Sequence, residues 1–510
     1  MDITRIIITI TIFITRNEAA RILAVCPTPS LSHQIVFYPL IQELARRHEV
    51  VFITTNPGFP KGNSPKNLTE IDLKDLSYGL WRKEFTLSKF GRDNFIYKGM
   101  KAIVEMMPKV FEEQMKSEDV QNLIKKEKPF DLLLLQAYFR PAIVWSHIYN
   151  VPVIKVSSVG MAFDNAEDFG APVHPLLYPD CFHQRVYNLN FWGKITELYK
   201  RYYVQKLYHD NEASENEMVK RILGPDGPPL SELKKKAKAM FLNVNSFWDR
   251  QRPLPKNVVY FGRIHQKPEK ELPKDIKSFL DASPQGVIYM SFGTNIPPSL
   301  LPSSTIQMFL RVFSQIPYRV LWKWDGDKLE GKPDNLMVGK WLPQADVFRH
   351  PNMKLVITQG GLQTTEEAIS SGLPLVGIPM LADQWLNVEH YVHYGLGVRV
   401  DIETICEEEF KTAILKVIED GRYRKNVLHF RSLVHDSPLT PLQRAVSWTE
   451  YVLRHGGTHL TSPAAMMTWS EYFEVELVMI VASSLMLLIY IVTLVLKIVL
   501  GVVLRKLKVF

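Results

Sequence analysis

The chain has 510 residues, of which 46% are hydrophobic and 22% charged, so it is long enough to form two or three domains with sizeable cores. Its formal net charge of +8 falls to about +4 when four basic residues near the carboxyl end are set aside, which is too little to indicate nucleic-acid binding. The three cysteines, Cys26, Cys181 and Cys406, allow at most one bridge and exclude a fold built on disulfides.

Residues 1–20 have the pattern of a secretory signal. Arg5 precedes an apolar run at residues 6–14, and the small residues Ala19 and Ala20 follow. Because the run is too short to span a bilayer, we expect cleavage near Ala20. A buried first strand is the alternative interpretation.

Two βαβ patterns follow in the first half of the chain. The predicted elements are a strand at 21–25, a helix at 34–47, a strand at 50–54, a strand at 131–135, a helix at 141–149 and a strand at 153–156. Uninterrupted apolar runs are typical of parallel strands covered on both faces. Residues 160–235 are aromatic and irregular, which indicates either extra core helices or a partly exposed apolar surface that lines a pocket or touches a membrane.

A Pro- and Lys-rich stretch at 266–277 predicts a linker between a first domain at 21–265 and a second at 278–455. The elements predicted in the second domain are strands at 286–291, 319–324, 355–358 and 375–378, a tight turn at 293–295, and helices at 304–315 and 364–371. The alternation predicts an α/β protein with two doubly wound domains that face one another across a cleft.

The segment VITQGGLQTTEEAI places two glycines between a strand and a helix. With Gly360 and Gly361 at this turn, only backbone N–H groups and the positive end of a helix face the space above the sheet, a geometry that suits a phosphate. The alternative is that the glycines only turn the chain and that Thr364 and Glu367 form a capping box.

The carboxyl end predicts a membrane anchor. After a juxtamembrane segment at 456–475, residues 476–496 are apolar enough to span a bilayer, and a basic tail follows at 497–510. The positive-inside rule places that tail in the cytosol and the main body in the lumen, as a single-pass type I protein. Lys506 and Lys508 resemble a dilysine retrieval signal of the endoplasmic reticulum, although ordinary stop-transfer charges explain them equally well. Asn67 is a glycosylation acceptor in the lumenal part.

The stretch WLPQADVFRHPNMKLVITQGGLQTTEEAISSGLPLVGIPMLADQ resembles the donor-binding signature of the UDP-glycosyltransferase family over its full length. PTPSLSHQ, VIYMSFGTN and the carboxyl-terminal anchor also fit, so the similarity covers essentially the whole chain. Gln359 and Gln363 resemble the variants of insect members. The resemblance implies a GT-B fold, with an acceptor-binding first domain, a UDP-sugar-binding second domain and a last lumenal helix that returns to the first.

The resemblance also implies the donor-site residues. Trp341 would stack on the uracil, Gln344 would bind the base or ribose, and Glu367 would accept hydrogen bonds from ribose hydroxyls. The residues expected to hold the rest of the donor are Asp383 and Gln384 at the sugar and Thr294, Gln359, Gly360, Gly361 and His350 around the diphosphate, with Gln363 counted among the donor-binding residues.

His33 closes the first βα loop, where doubly wound folds keep their reactive groups. The family places its catalytic base there, and the alternative is a histidine that only caps the helix. Relatives usually have an acidic residue to orient this base at the position of Gln136, whose amide can accept from the imidazole N–H but supplies no charge. Gln359 likewise replaces a histidine beside the diphosphate and stays neutral.

We therefore expect an inverting enzyme that transfers a hexose, with glucose favoured, from a UDP-sugar to a hydroxyl of small lipophilic acceptors such as phenols or steroids. Detoxification or conjugation of hormones or pigments are the matching roles. The UDP-sugar is a co-substrate, and no cofactor, metal or nucleic acid is expected. A homo-oligomer is compatible with the sequence. The alternative is a catalytically weakened, lipophile-binding member of the same fold.

Overall fold

The computed structural model describes residues 19–84, 91–126, 128–172 and 174–507. The predicted signal up to residue 18 lies outside the described residues, and so does Lys508.

A seven-stranded parallel sheet forms the first half of the chain, in the order β3-β2-β1-β4-β5-β6-β7. Its strands are β1 Arg21–Cys26, β2 Glu49–Thr54, β3 Leu68–Asp72, β4 Leu132–Gln136, β5 Val153–Ser157, β6 Ala237–Leu242 and β7 Val258–Tyr260. The chain moves outward from β1 to β3 and then returns to place β4 on the other side of β1, so the strand order reverses between β1 and β4. Ligands of doubly wound folds bind beyond the carboxyl ends of the strands at such a reversal.

A six-stranded parallel sheet forms the second half, in the order β10-β9-β8-β11-β12-β13. Its strands are β8 Val287–Ser291, β9 Arg319–Lys323, β10 Leu336–Gly339, β11 Met353–Thr358, β12 Leu375–Gly377 and β13 Gly397–Arg399. The strand order reverses between β8 and β11, and the segments after these two strands are the tight turn at 293–295 and the glycine turn at 359–361.

Helices cover both sheets. In the first half they are α1 Leu31–Leu44, α2 Lys74–Glu84, α3 Arg92–Asn94, α4 Met100–Lys116, α5 Glu118–Lys125, α6 Val144–Ile148, α7 Phe163–Phe169, α8 Phe191–Leu223 and α9 Leu230–Leu233. Those that follow are α10 Lys274–Asp281, α11 Ser303–Ser314, α12 Gln344–Phe348, α13 Leu362–Ser370, α14 Gln384–His393, α15 Glu407–Glu419, α16 Gly421–His435, α17 Pro441–His455, α18 Trp469–Tyr472 and α19 Val475–Leu507. Helix α10 begins inside the predicted linker.

The predicted strands and the helices of the βαβ patterns are confirmed within a few residues. In the aromatic stretch each of the two interpretations holds in part, because α8 runs there for 33 residues. Phe191, Trp192, Tyr199 and Tyr202 are exposed on it, whereas Val204 is buried in the core. The stretch therefore combines core packing with an exposed apolar surface.

Helix α17 leaves the second half and packs on the first sheet. Its Ala445 and Val452 are fully buried in the same cluster as Phe37 of α1. Nε2 of His48 lies 3.0 Å from Oε1 of Glu450 and adds a polar contact at this junction. The last helix, α19, contains a segment of 31 residues, Val475–Arg505, that is long and apolar enough to cross a membrane.

A buried ion pair ties β5 to α7. Nζ of Lys155 lies 2.6 Å from Oδ2 of Asp168 and 3.0 Å from Oδ1 of Asn165, and the lysine and aspartate side chains are only 7% and 4% exposed. Burying a charge without a partner is costly, so Lys155 depends on this carboxylate. The pair fixes β5, the strand whose carboxyl end leads to Ser158.

Replacing Asp168 with Asn keeps the shape of the side chain but leaves the charge of Lys155 unpaired. We expect the free energy of unfolding to fall by about 3–5 kcal/mol, because removing one charge of a buried pair leaves the other charge buried without a partner. The midpoint of thermal unfolding in detergent measures the loss. The double variant Lys155→Met with Asp168→Leu is the control and should lie between Asp168→Asn and the native protein, because Lys234, whose Nζ lies 3.6 Å from Oδ1 of Asp168, loses this carboxylate in both variants. Equal midpoints for Asp168→Asn and the native chain would contradict the dependence.

Candidate functional site

The imidazole of His33 lies at the start of α1, in the segment that leaves β1. It is partly buried, and desolvation lowers its pKa to about 4, so the ring is neutral near pH 7. Nδ1 is in hydrogen-bond contact with Oγ of Ser158. Nε2 makes no hydrogen bond within the described part of the chain. It is also not one of the fully buried polar atoms that lack a partner there, so this nitrogen is accessible. A neutral ring with one nitrogen held and the other open is suited to accept a proton.

Gln136 lies at the end of β4, but its amide oxygen points to the loop after β1. Oε1 accepts hydrogen bonds from the backbone N–H of Thr28 at 3.2 Å and from its hydroxyl at 2.7 Å, and Sγ of Cys26 lies at 3.5 Å. Gln136 thus forms hydrogen bonds to the loop after β1, and it is Ser158 that contacts the imidazole. Ser158 was not predicted from the sequence, although the polar Ser157-Ser158 pair at the end of an apolar strand was an available signal.

The glycine turn needs glycine at its first position. Gly360 has φ +91°, and a Cβ there would lie 2.6 Å from Cγ2 of Val388 and 3.0 Å from the carbonyl oxygen of Gln384. Gly361 is the N-cap of α13, which begins at Leu362, so the capping-box alternative is wrong. The first amides of α13 have no helical acceptor and form the positive end of the helix.

Two further groups border the glycine turn. A Cβ at Gly293, whose φ is +77°, would lie 2.3 Å from Nε2 of Gln359, so the turn after β8 touches the turn after β11. Thr294, next to it, is exposed. Nζ of Lys323 donates to the carbonyl of Gly293 at 2.9 Å and lies 5.1 Å from the ring centre of Trp341. This lysine, which brings a positive charge to the turn, was not predicted from the sequence.

The groups expected at the nucleoside lie together. Nε2 of Gln344 donates to Oε2 of Glu367 at 2.6 Å and to the hydroxyl of Thr364 at 3.1 Å. Desolvation raises the pKa of Glu367 to about 7. Trp341 is 67% exposed at the edge of this group, which leaves a ring face open for stacking. These side chains can together hold an aromatic base and a diol.

Asp383 and Gln384 lie at the start of α14. Desolvation raises the pKa of Asp383 to about 6, and its Oδ2 accepts from Nδ2 of Asn387 at 2.8 Å. The same Nδ2 donates to the carbonyl of Gly360 at 2.8 Å, which links Asp383 to the glycine turn. The amide oxygen of Gln384 accepts from the backbone N–H groups of residues 380 and 381, both at 2.9 Å.

His350 is not brought to this site. Its Nε2 lies 3.0 Å from Oδ1 of Asp281, at the amino end of β11. The glycine turn follows the carboxyl end of the same strand, and six residues of strand separate the two ends by about 20 Å. The structure therefore does not support a position for His350 near a phosphate on the glycine turn.

The two halves meet at their strand reversals. Nε2 of Gln363, on α13, donates to the carbonyl of Ser158 at 3.0 Å and to the carbonyl of Ser32 at 3.3 Å. Ser30 and Asn295 make a second contact across the cleft, with side-chain distances of 3.1 and 3.2 Å. The imidazole of His33 thus lies directly across from the helix that begins at the glycine turn.

Two doubly wound sheets that join a histidine on one side to a glycine turn and a nucleoside pocket on the other define a nucleotide-sugar glycosyltransferase of the GT-B fold. The fold is shared with a UDP-glucose: anthocyanidin 3-O-glucosyltransferase solved in complex with UDP, with a TM-score of 0.59 and 17% identity over 86% of this chain and 99% of that one.

The model of the family described as UDP-glucoronosyl and UDP-glucosyl transferase matches residues 31–509, and the chain belongs to this family. An ecdysteroid UDP-glucosyltransferase of Spodoptera littoralis nuclear polyhedrosis virus is 33% identical over 495 residues, which cover 93% of this chain and 96% of the viral protein. The UDP-glucuronosyltransferase 2B17 of Homo sapiens is 29% identical over 91% of this chain and 90% of its own length. The predicted family, fold and enzyme class are confirmed.

Substituting Ala for Gly360 tests the turn. The new Cβ would enter the left-handed region and meet Val388, so we expect a loss of about 1–2 kcal/mol from the backbone alone and a further loss from the contact. Gly361→Ala is the matched control because its φ is −62° and its Cβ would meet only the end of the Gln359 side chain. Thermal unfolding of both variants is the measurement, and a smaller loss for Gly360→Ala than for Gly361→Ala would contradict the assignment.

Proposed function

We propose that this enzyme transfers a hexose, with glucose as the first candidate, from a UDP-sugar to a hydroxyl group of a small lipophilic acceptor. The observation that carries the proposal is the pair of hydrogen bonds from Gln363, which set the imidazole of His33 opposite the glycine turn. The name of the viral relative, an ecdysteroid UDP-glucosyltransferase, supports glucose as the sugar and a steroid among the acceptors.

The donor lies along the carboxyl edge of the second sheet. Trp341 stacks on the uracil, while Gln344 and Glu367 bind the ribose hydroxyls. The amides at Gly360 and Gly361 and the end of α13 bind the diphosphate, with the turn at 293–295 and Gln359 beside them. Because Gln359 is neutral, the backbone amides and the nearby Lys323 carry the stabilisation of the departing phosphate charge.

His33 acts as the general base. Its Nε2 takes the proton from the acceptor hydroxyl while that oxygen forms a bond to the anomeric carbon of the sugar. The bond between that carbon and the β-phosphate oxygen breaks at the same time, and UDP leaves with its electron pair from the opposite face. The configuration at the anomeric carbon inverts, and the imidazolium returns its proton to solvent.

The sugar lies near Asp383 and Gln384. Asp383 accepts hydrogen bonds from sugar hydroxyls, and its ionised form would repel the carboxylate of glucuronic acid. This acidic neighbour favours a neutral hexose.

The second candidate, a lipophile-binding protein with weakened catalysis, is favoured by one observation. Gln136 carries no charge and its oxygen is occupied by Thr28, so this position supplies no carboxylate to stabilise the imidazolium. Release of UDP only when an acceptor is present distinguishes the enzyme from the binding protein.

We also propose that the enzyme is held in the endoplasmic reticulum membrane by α19, with both sheets in the lumen. The apolar length of α19 and the basic residues after it support this placement. Asn67 is exposed, and its Nδ2 donates to the carbonyl of Ala45 at 3.0 Å, a contact that a glycan on this nitrogen would have to accommodate. The proposed reaction needs no cofactor or metal beyond the UDP-sugar.

Purified protein in detergent should convert a phenol or a steroid to a product heavier by one hexose when UDP-glucose is supplied. Mass spectrometry of reactions with UDP-glucose and UDP-glucuronic acid, each with a panel of acceptors, is the measurement. A product only with UDP-glucuronic acid would contradict the choice of sugar. UDP release without any glycoside would contradict transfer to these acceptors.

The affinity for UDP-glucose should rise with pH through about 7, because the pKa of Glu367 is raised to about 7 and only its ionised form accepts from both ribose hydroxyls. Between about pH 6 and about pH 8 the ionised fraction grows by at most about tenfold, which bounds the change in Kd. Isothermal titration measures it, since UDP-glucose has no phosphate that titrates in this range. Glu367→Gln should flatten the profile, and an unchanged profile in that variant would refute the role.

A further inference from the structure

We propose that Ser158 is the positioning residue of the base. Its hydroxyl accepts a hydrogen bond from the Nδ1–H of His33 and so leaves the lone pair of Nε2 open to the acceptor proton. The inference deepens the proposed function and rests on His33 as its base. It assigns to a serine at the end of β5 the orienting role that the sequence analysis gave to Gln136.

The first argument is the contact itself. Oγ of Ser158 touches Nδ1, and Ser158 is only 1% exposed, so water does not compete for this bond. No other hydrogen bond to either imidazole nitrogen occurs among the described residues. An imidazole whose Nδ1 carries the proton must have its basic lone pair on Nε2.

The second argument is the orientation of Gln136. The backbone N–H of Thr28 is only a donor, so the amide atom 3.2 Å from it must be the oxygen of Gln136. The other amide atom, Nε2, is buried and has no hydrogen-bond partner in the described part of the chain. As a donor, it cannot accept from Nδ1–H. Gln136 is therefore unsuited to hold the tautomer that the reaction needs.

The third argument is the support of Ser158. Its carbonyl accepts from Nδ2 of Asn243 at 3.1 Å and from Nε2 of Gln363 at 3.0 Å. The hydroxyl of the preceding Ser157 is bonded to the hydroxyl of Tyr138 and accepts from the N–H of residue 159 at 3.2 Å. The backbone of Ser158 is thus held both by the first sheet and by the helix of the donor site.

This arrangement makes the alignment of the base depend on contact between the two halves. Gln363 donates to the carbonyl of Ser32, the residue directly before His33, and to the carbonyl of Ser158, whose hydroxyl contacts His33. Opening of the cleft would break both hydrogen bonds and remove the support of Ser158 from the donor side, while the hydrogen bond from Asn243 would remain. The donor helix therefore adds to the support of the base.

A hydroxyl differs from a carboxylate because it adds no charge beside the ring. Tyr138 lies edge-on to the base with ring centres 6.2 Å apart, and Cys181 and, from the second half, Asp383 interact electrostatically with Tyr138. A carboxylate at position 158 would favour the imidazolium and raise the pKa of His33. The acid limb of the rate against pH then reports which residue faces the imidazole.

The test compares kcat, KM and the pH profile for transfer from UDP-glucose to a phenol. Ser158→Ala should lower kcat by at least about tenfold, out of the roughly 10²- to 10⁴-fold that a positioned base contributes, with KM for UDP-glucose unchanged. Ser158→Thr keeps the hydroxyl and should restore most of the rate. Ser158→Asp should move the acid limb upward by at least about one pH unit, whereas Gln136→Asp should leave it in place.

Two outcomes overturn the proposal. One is a rate for Ser158→Ala equal to that of the native enzyme, and the other is an acid limb that moves with Gln136→Asp and not with Ser158→Asp. If Ser158→Ala fails to fold, judged by UDP binding, the Thr and Asp variants decide the question. His33→Ala distinguishes a failure of the proposed function from a failure of this inference. If His33→Ala still transfers sugar at the native rate, His33 is not the base. If His33→Ala is inactive and Ser158→Ala is fully active, only the role of Ser158 is refuted.

Discussion

Two hydrogen bonds from one amide nitrogen of Gln363 join the halves of this enzyme where both sheets reverse their strand order. Parallel strands end with unpaired backbone groups, and at a reversal the two loops diverge and leave a crevice. Here the crevice of the first sheet contains the segment around His33, and that of the second contains the glycine turn. Each crevice alone would be a generic ligand site. Their contact creates a place where an acceptor hydroxyl and a nucleotide sugar can meet.

Burial disfavours charge at this meeting point. His33 has a low pKa, Glu367 and Asp383 have raised ones, and Gln136 and Gln359 carry no charge. In such an environment the backbone amides at the glycine turn, together with Lys323, would act on a bound diphosphate with little competition from water. In the proposed reaction, the lowered pKa would make His33 a weak base, which would suit acceptors that lose their proton readily, such as phenols.

Much of the fold could be predicted from the sequence because its strands are short apolar runs bounded by turns, and the glycine turn was evident from Gly360 and Gly361. Helix α8 was not predicted as one continuous helix because its buried face carries Lys200, Arg201 and Glu215, so apolar residues do not repeat along one side of it. Strands β3, β7, β10 and β13 were missed because they are short and form the edges of the two sheets, and β6 was missed although it lies inside the first sheet.

The site was predictable where one local segment contains it, as with Gln344 and Glu367, and not where two distant segments meet. Ser158 is 125 residues from His33 along the chain, and the cross-cleft role of Gln363 depends on how the halves pack. The position of His350 failed for a different reason: it followed the family resemblance, although the strand predicted at 355–358 already separates His350 from the glycine turn.

An experimental structure of the protein with UDP-glucose tests the central claim most directly. The account predicts diphosphate oxygens within hydrogen-bond distance of the amides at residues 360–362, the ribose at Glu367, and Nε2 of His33 facing the anomeric carbon. A nucleotide bound away from the glycine turn, or an imidazole that cannot reach the sugar, would contradict it.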